Sequence, residues 1–180
     1  MSQNVAIWVL IVLSLVSANI PFFVERPLLF LPWQQKGEQN RSVLARWLVF
    51  IVYTGVLLAV GWLMHRTLSQ TLFVSPMHLL LLSVACVLVA ALLLAVPAWT
   101  QRKQPISKSF FARLLEVSVL YGLIGVLGIG FESSLGNVFP QGWEFYAITY
   151  SLFLVLAYPG FVIRYLLKRR RVLVTQPKAV

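Results

Sequence analysis

The sequence contains no aspartate and one cysteine, Cys86, set inside a leucine-rich run. A lone cysteine excludes an internal disulfide framework and leaves the redox compartment unmarked. Charge is scarce as well: charged residues make up 11% of the chain, against about 25% in an ordinary soluble domain. The two histidines, His65 and His78, flank one hairpin with no cysteine or aspartate near them, which argues against a metal site. There is no phosphate-binding loop, no dinucleotide fingerprint, no Gly-x-Ser-x-Gly elbow and no His-Glu-x-x-His pair. With neither catalytic residues nor cofactor ligands to assign, a protein that is not an enzyme is expected.

Apolar length is what the chain has in abundance. Hydrophobic residues make up 59% of it, above the roughly 45–50% of soluble domains. Five apolar runs cover residues 5–23, 47–64, 77–99, 114–131 and 145–167. Even the shortest, at 18 residues, gives about 27 Å of helix, close to the ~30 Å of a hydrocarbon core. A bilayer offers no partner to an open strand, so these runs must be helices. The expected fold is all-α: an integral membrane helical bundle with five transmembrane helices, in a single domain over residues 1–180.

The formal net charge is +10. In a membrane chain this balance points to a bilayer with anionic headgroups rather than to nucleic acid. Fourteen of the fifteen Lys and Arg residues fall in 24–46, in 100–113 or from Arg164 onward, leaving only Arg66 on the other side. Five alternating spans with the N-terminus outside and the C-terminus inside produce that pattern, and four or six spans break it. Trp8, Trp62 and Trp143 then lie at outer ends and Trp47 and Trp99 at inner ends, where indoles prefer to sit. Residues 5–18 lack the basic flank of a cleaved signal peptide and are read as a span.

A few residues inside or beside the runs stand out. Gly122, Gly125 and Gly128 repeat every third position and predict a bare ridge for close helix packing. Glu116 is a carboxylate in an apolar run, three residues after Arg113. The spacing predicts an i,i+3 pair, with proton handling or a charge on a partner as the functional alternative. Pro159 and Gly160 predict a kink in the last helix. Lys168, Arg169, Arg170 and Arg171 form a cationic run suited to lipid headgroups. Glu132 and Glu144 flank an outer loop and are expected to be solvated. The proline-flanked apolar piece at residues 26–32 is too short to span and either rests in the interface or packs on the bundle.

Ala18-Asn19-Ile20-Pro21-Phe22 with Glu25-Arg26 is one of several linked strings. Leu114-Leu115-Glu116 leads to Tyr121-Gly122, followed by Gln141-Gly142-Trp143-Glu144-Phe145-Tyr146-Ala147. Pro159-Gly160-Phe161-Val162 and Arg164-Tyr165-Leu166 close the series. Together they resemble a family of small Gram-negative inner-membrane proteins, a domain of unknown function whose genes often follow those of respiratory complex I, the proton-pumping NADH:quinone oxidoreductase. The usual member has about three spans, so the resemblance implies that residues 39–104 are an inserted helix pair. It also implies a multi-pass protein of the bacterial inner (plasma) membrane, with a periplasmic N-terminus and a cytoplasmic C-terminus. The function it implies is that of an accessory or assembly component of a respiratory membrane complex, with a membrane protein complex as partner. A small transporter or channel subunit, or a lipid-organising protein, are the alternatives. The first of these needs polar residues meeting at mid-membrane, and the spans supply few: Asn19, Tyr53, Thr54, Ser83, Ser118, Thr149 and Ser151.

Overall fold

Helices form where the apolar runs lie, because within hydrocarbon each backbone N–H must find a carbonyl in its own segment. The computed structural model describes residues 3–38, 42–69, 76–102, 106–134 and 140–167. In chain order these are α1 (Gln3–Phe23), α2 (Val43–Ser69), α3 (Pro76–Thr100), α4 (Phe110–Ser134), α5 (Trp143–Leu156) and the short α6 (Tyr158–Phe161), which runs into a π-helical stretch at Val162–Leu167. The described residues contain no sheet, only one isolated bridge between Lys36 and Ser107. Five helical segments are long and apolar enough to cross a membrane: Asn4–Phe23, Val43–Leu68, Leu81–Thr100, Phe110–Ser133 and Trp143–Leu167.

Helices α2 and α4 begin several residues before their apolar runs, and a serine sets each start. The Ala45 N–H donates to Ser42 Oγ at 3.2 Å, and the Ala112 N–H donates to Ser109 Oγ at 3.2 Å. Each is an N-cap bond to the third residue of its helix, satisfying one of the donors that a helix start leaves open. Arg46 and Arg113 are thereby drawn into helical backbone, although hydropathy alone places them outside.

Helix α4 is the hub. It packs extensively on both α1 and α2, while α5 and α6 pack on α1, α5 also touches α4, and α3 lies on α2. The larger core unites Ala18 and Phe22 of α1, Tyr53 and Leu57 of α2, Val117 and Leu120 of α4, and Phe153 of α5. Through Tyr53 and Leu57, the segment expected to be an insertion contributes to that core. Residues 26–32 pack on the bundle: Pro27, Leu28, Leu29 and Leu31 are all buried.

The predicted glycine ridge is not where the helices of this chain close on one another. A Cβ built on Gly122 or Gly125 meets nothing within 4 Å, and at Gly128 only Leu10 Cδ1 comes near, at 3.8 Å. Three-residue spacing rotates successive glycines by about 60° around the helix, so they face different neighbours. The close approach occurs at Gly130, where a Cβ would lie 2.8 Å from Leu68 Cβ of α2. Leu68 is fully buried there.

Candidate functional site

Glu116 lies near the start of α4 and is only 2% exposed. Burying a carboxylate in such surroundings is costly unless each oxygen finds a donor. Glu116 Oε2 accepts from Lys108 Nζ at 2.5 Å, and Oε1 accepts the Leu28 N–H at 2.7 Å. Lys108 stands just before the Ser109 cap, on a connector tied to residues 24–38 by the Ser107 N–H, which donates to the Lys36 carbonyl at 2.9 Å. Burial pulls the Lys108 ammonium below its ordinary value, while the charge and hydrogen bond of Glu116 push it back up. Leu28 is held from its other side too: Tyr53 Oη, on α2, lies 3.1 Å from the Leu28 carbonyl and 3.1 Å from that of Leu93 on α3. One buried node thus joins α2, α3, α4 and the first connector.

The expected pairing of Glu116 with Arg113 is replaced by this arrangement. Arg113 Nη1 donates instead to the carbonyls of Pro21 at 2.7 Å and Phe22 at 3.2 Å. These are among the last carbonyls of α1, which lack intrahelical donors and carry the negative end of the helix dipole. Arg113 therefore closes α1, and the carboxylate one turn later is left to Lys108.

The last span is interrupted as Pro159 and Gly160 predict, and a residue of α1 completes the interruption. Asn19 Nδ2 donates to the Leu156 carbonyl at 2.8 Å, and the Gly160 N–H donates to Asn19 Oδ1 at 2.7 Å. In a continuous helix, Gly160 N–H and Leu156 C=O would bond each other. The absent side chain at Gly160 admits the amide, since a Cβ there would lie 2.8 Å from Asn19 Oδ1 and 3.0 Å from Phe22 Cβ. Beyond the break, Arg164 Nη1 pairs with Glu25 Oε1 at 2.5 Å. The cationic run Lys168, Arg169, Arg170 and Arg171 lies outside the described residues.

Helices α4 and α5 are joined by polar side chains rather than by wide apolar contact. Ser118 Oγ and Tyr150 Oη lie 2.8 Å apart, as do Tyr121 Oη and Thr149 Oγ1; on the connector just before α5, Gln141 Nε2 donates to the Glu132 carboxylate at 3.2 Å. Asn19, Ser118 and Thr149 are visible in the sequence as polar residues within apolar runs, but their interhelical partners lie far away in the chain and leave no local signal. Two apolar grooves flank α4. One, of about 640 Å³, lies among α1, α4 and α5 and is floored by Gly125 and Gly128. The other, of about 570 Å³, lies between α2 and α4 beside Gly122. Among the described residues, no three His, Cys, Asp or Glu side chains come together as a metal site would require.

No curated protein and no solved structure matches the chain. The sequence profile of the family described as "Protein of unknown function (DUF2818)" matches it over residues 6–102 and 77–168. The two matched stretches contain Glu116, Asn19, Pro159 and Gly160, together with all five apolar helices or most of each. The chain belongs to the DUF2818 family.

Proposed function

We infer that this protein performs no chemistry of its own and serves as an accessory or assembly component of a respiratory membrane complex of the NADH:quinone oxidoreductase type. The observation that carries the reading is the internal use of the polar groups in the spans. Glu116 is consumed by Lys108 and Leu28, Asn19 by Leu156 and Gly160, and Arg113 by the end of α1. A transporter needs such groups facing a path; a body that docks against another membrane protein needs them locked inside. The resemblance of the Gln141–Ala147 and Pro159–Val162 strings to proteins whose genes often follow those of complex I supports this choice of partner. In this reading the chain sits in the bacterial inner membrane with its basic connectors inside.

Solubilisation in a mild detergent followed by native electrophoresis tests the association. The expected result is co-migration of a tagged chain with NADH dehydrogenase activity, or with a smaller assembly intermediate of that complex. Migration only as a free protein, with complex subunits absent from its band, contradicts the reading.

A further inference from the structure

The groove among α1, α4 and α5 has a depth and a polarity that select its occupant. Its α4 lining runs from Tyr121 to Glu132, a span of about 16 Å along the helix. The α5 lining, from Phe145 to Leu156, has the same extent, and α1 contributes only residues between Ala6 and Ser14. That is about half of a ~30 Å hydrocarbon core, the depth of one leaflet. A transmembrane helix would need the whole thickness, whereas a lipid chain needs half. Gly125 leaves the floor open, with nothing within 4 Å of a built Cβ.

The mouth is acidic. Glu132 lines the groove at the membrane-surface end of α4, its carboxylate held by Gln141 Nε2 at 3.2 and 3.3 Å. A carboxylate has about four acceptor positions, so one amide leaves capacity to spare. The connector from Glu132 to Glu144 contains no Lys or Arg, nor do residues 1–4. The geometry points to a phospholipid with a primary-ammonium headgroup, phosphatidylethanolamine, seated with an acyl chain over Gly125 and Gly128 and its ammonium on Glu132. This inference stands independently of the respiratory reading.

Native mass spectrometry of the full chain in detergent, titrated with dioleoyl phosphatidylethanolamine or dioleoyl phosphatidylglycerol, tests it. The wild-type chain retains one phosphatidylethanolamine in preference to phosphatidylglycerol by about tenfold, the ratio supplied by one charge-assisted hydrogen bond. Glu132→Gln erases the preference but keeps a bound lipid. Gly125→Leu fills the floor and loses both lipids, while Gly122→Leu, which opens into the other groove, retains the wild-type pattern. Gly125→Ala is the milder variant should the leucine prevent accumulation, and it weakens retention. Equal retention of the two lipids by the wild type overturns the proposal. So does equal lipid loss in Gly122→Leu and Gly125→Leu, or a co-purifying transmembrane protein in place of the lipid.

Discussion

Asn19 of α1 replaces a backbone hydrogen bond of the last span with its own side-chain amide, donating to Leu156 and accepting from Gly160. Pro159 already lacks the N–H that would reach Val155, so the helix is opened at two successive positions and α1 holds it open. Asn19→Leu leaves both backbone groups without the amide. Interhelical hydrogen bonds in membranes average about 0.6 kcal/mol each, and a group left unsatisfied costs more, so a loss of about 1–3 kcal/mol is expected. Unfolding in mixed detergent micelles measures it. Gly160→Ala should destabilise as well, and the double variant should cost less than the sum of the two. Strict additivity would separate the two residues.

The buried pair makes a second prediction. Glu116→Gln leaves the Lys108 ammonium buried without its counter-charge, and breaking a buried pair from one side costs about 3–5 kcal/mol. Adding Lys108→Met removes the stranded cation, while the side-chain carbonyl introduced by Glu116→Gln can still accept the Leu28 N–H, so much of the loss should return. A loss below the ~1 kcal/mol of an exposed pair would place the ammonium in water.

Substitution at the glycines distinguishes the packing contact from the grooves. Gly130→Ala drives a methyl onto Leu68, and such overpacking costs about 1–3 kcal/mol. Gly125→Ala meets no atom within 4 Å and gains helix propensity, so it should be neutral or stabilising by up to ~1 kcal/mol. Thermal melts of the two variants in detergent should move in different directions. Equal destabilisation would restore the ridge as a packing surface.

Five helices were legible in the sequence because runs of 18 or more apolar residues have one solution in a bilayer. Their ends were not, because Ser42 and Ser109 cap the helices upstream of the runs and hydropathy does not register a cap. The kink was legible at Pro159-Gly160, since a missing N–H is a local fact. Its stabiliser, Asn19, is distant in sequence and has no local signature. Glu116 stood out as a buried charge, but helical spacing favoured Arg113 as partner. Nothing in the chain announces that the connector before α4 turns Lys108 back onto that carboxylate.

The sidedness proposed from the charge pattern is open to labelling in a Cys86→Ser background. Cysteine at Pro140 should react with an impermeant maleimide added to intact spheroplasts. Cysteines at Lys36 and Arg102 should react only after permeabilisation. Labelling of the Lys36 and Arg102 positions without Pro140 would invert the orientation.

The proposed respiratory role is tested most directly by NADH-driven proton pumping in membrane vesicles from a strain lacking the gene. Pumping, and the yield of intact NADH:quinone oxidoreductase, should fall in the deletion strain and return when the full chain is supplied. Unchanged pumping and complex yield in the complete deletion would contradict the account.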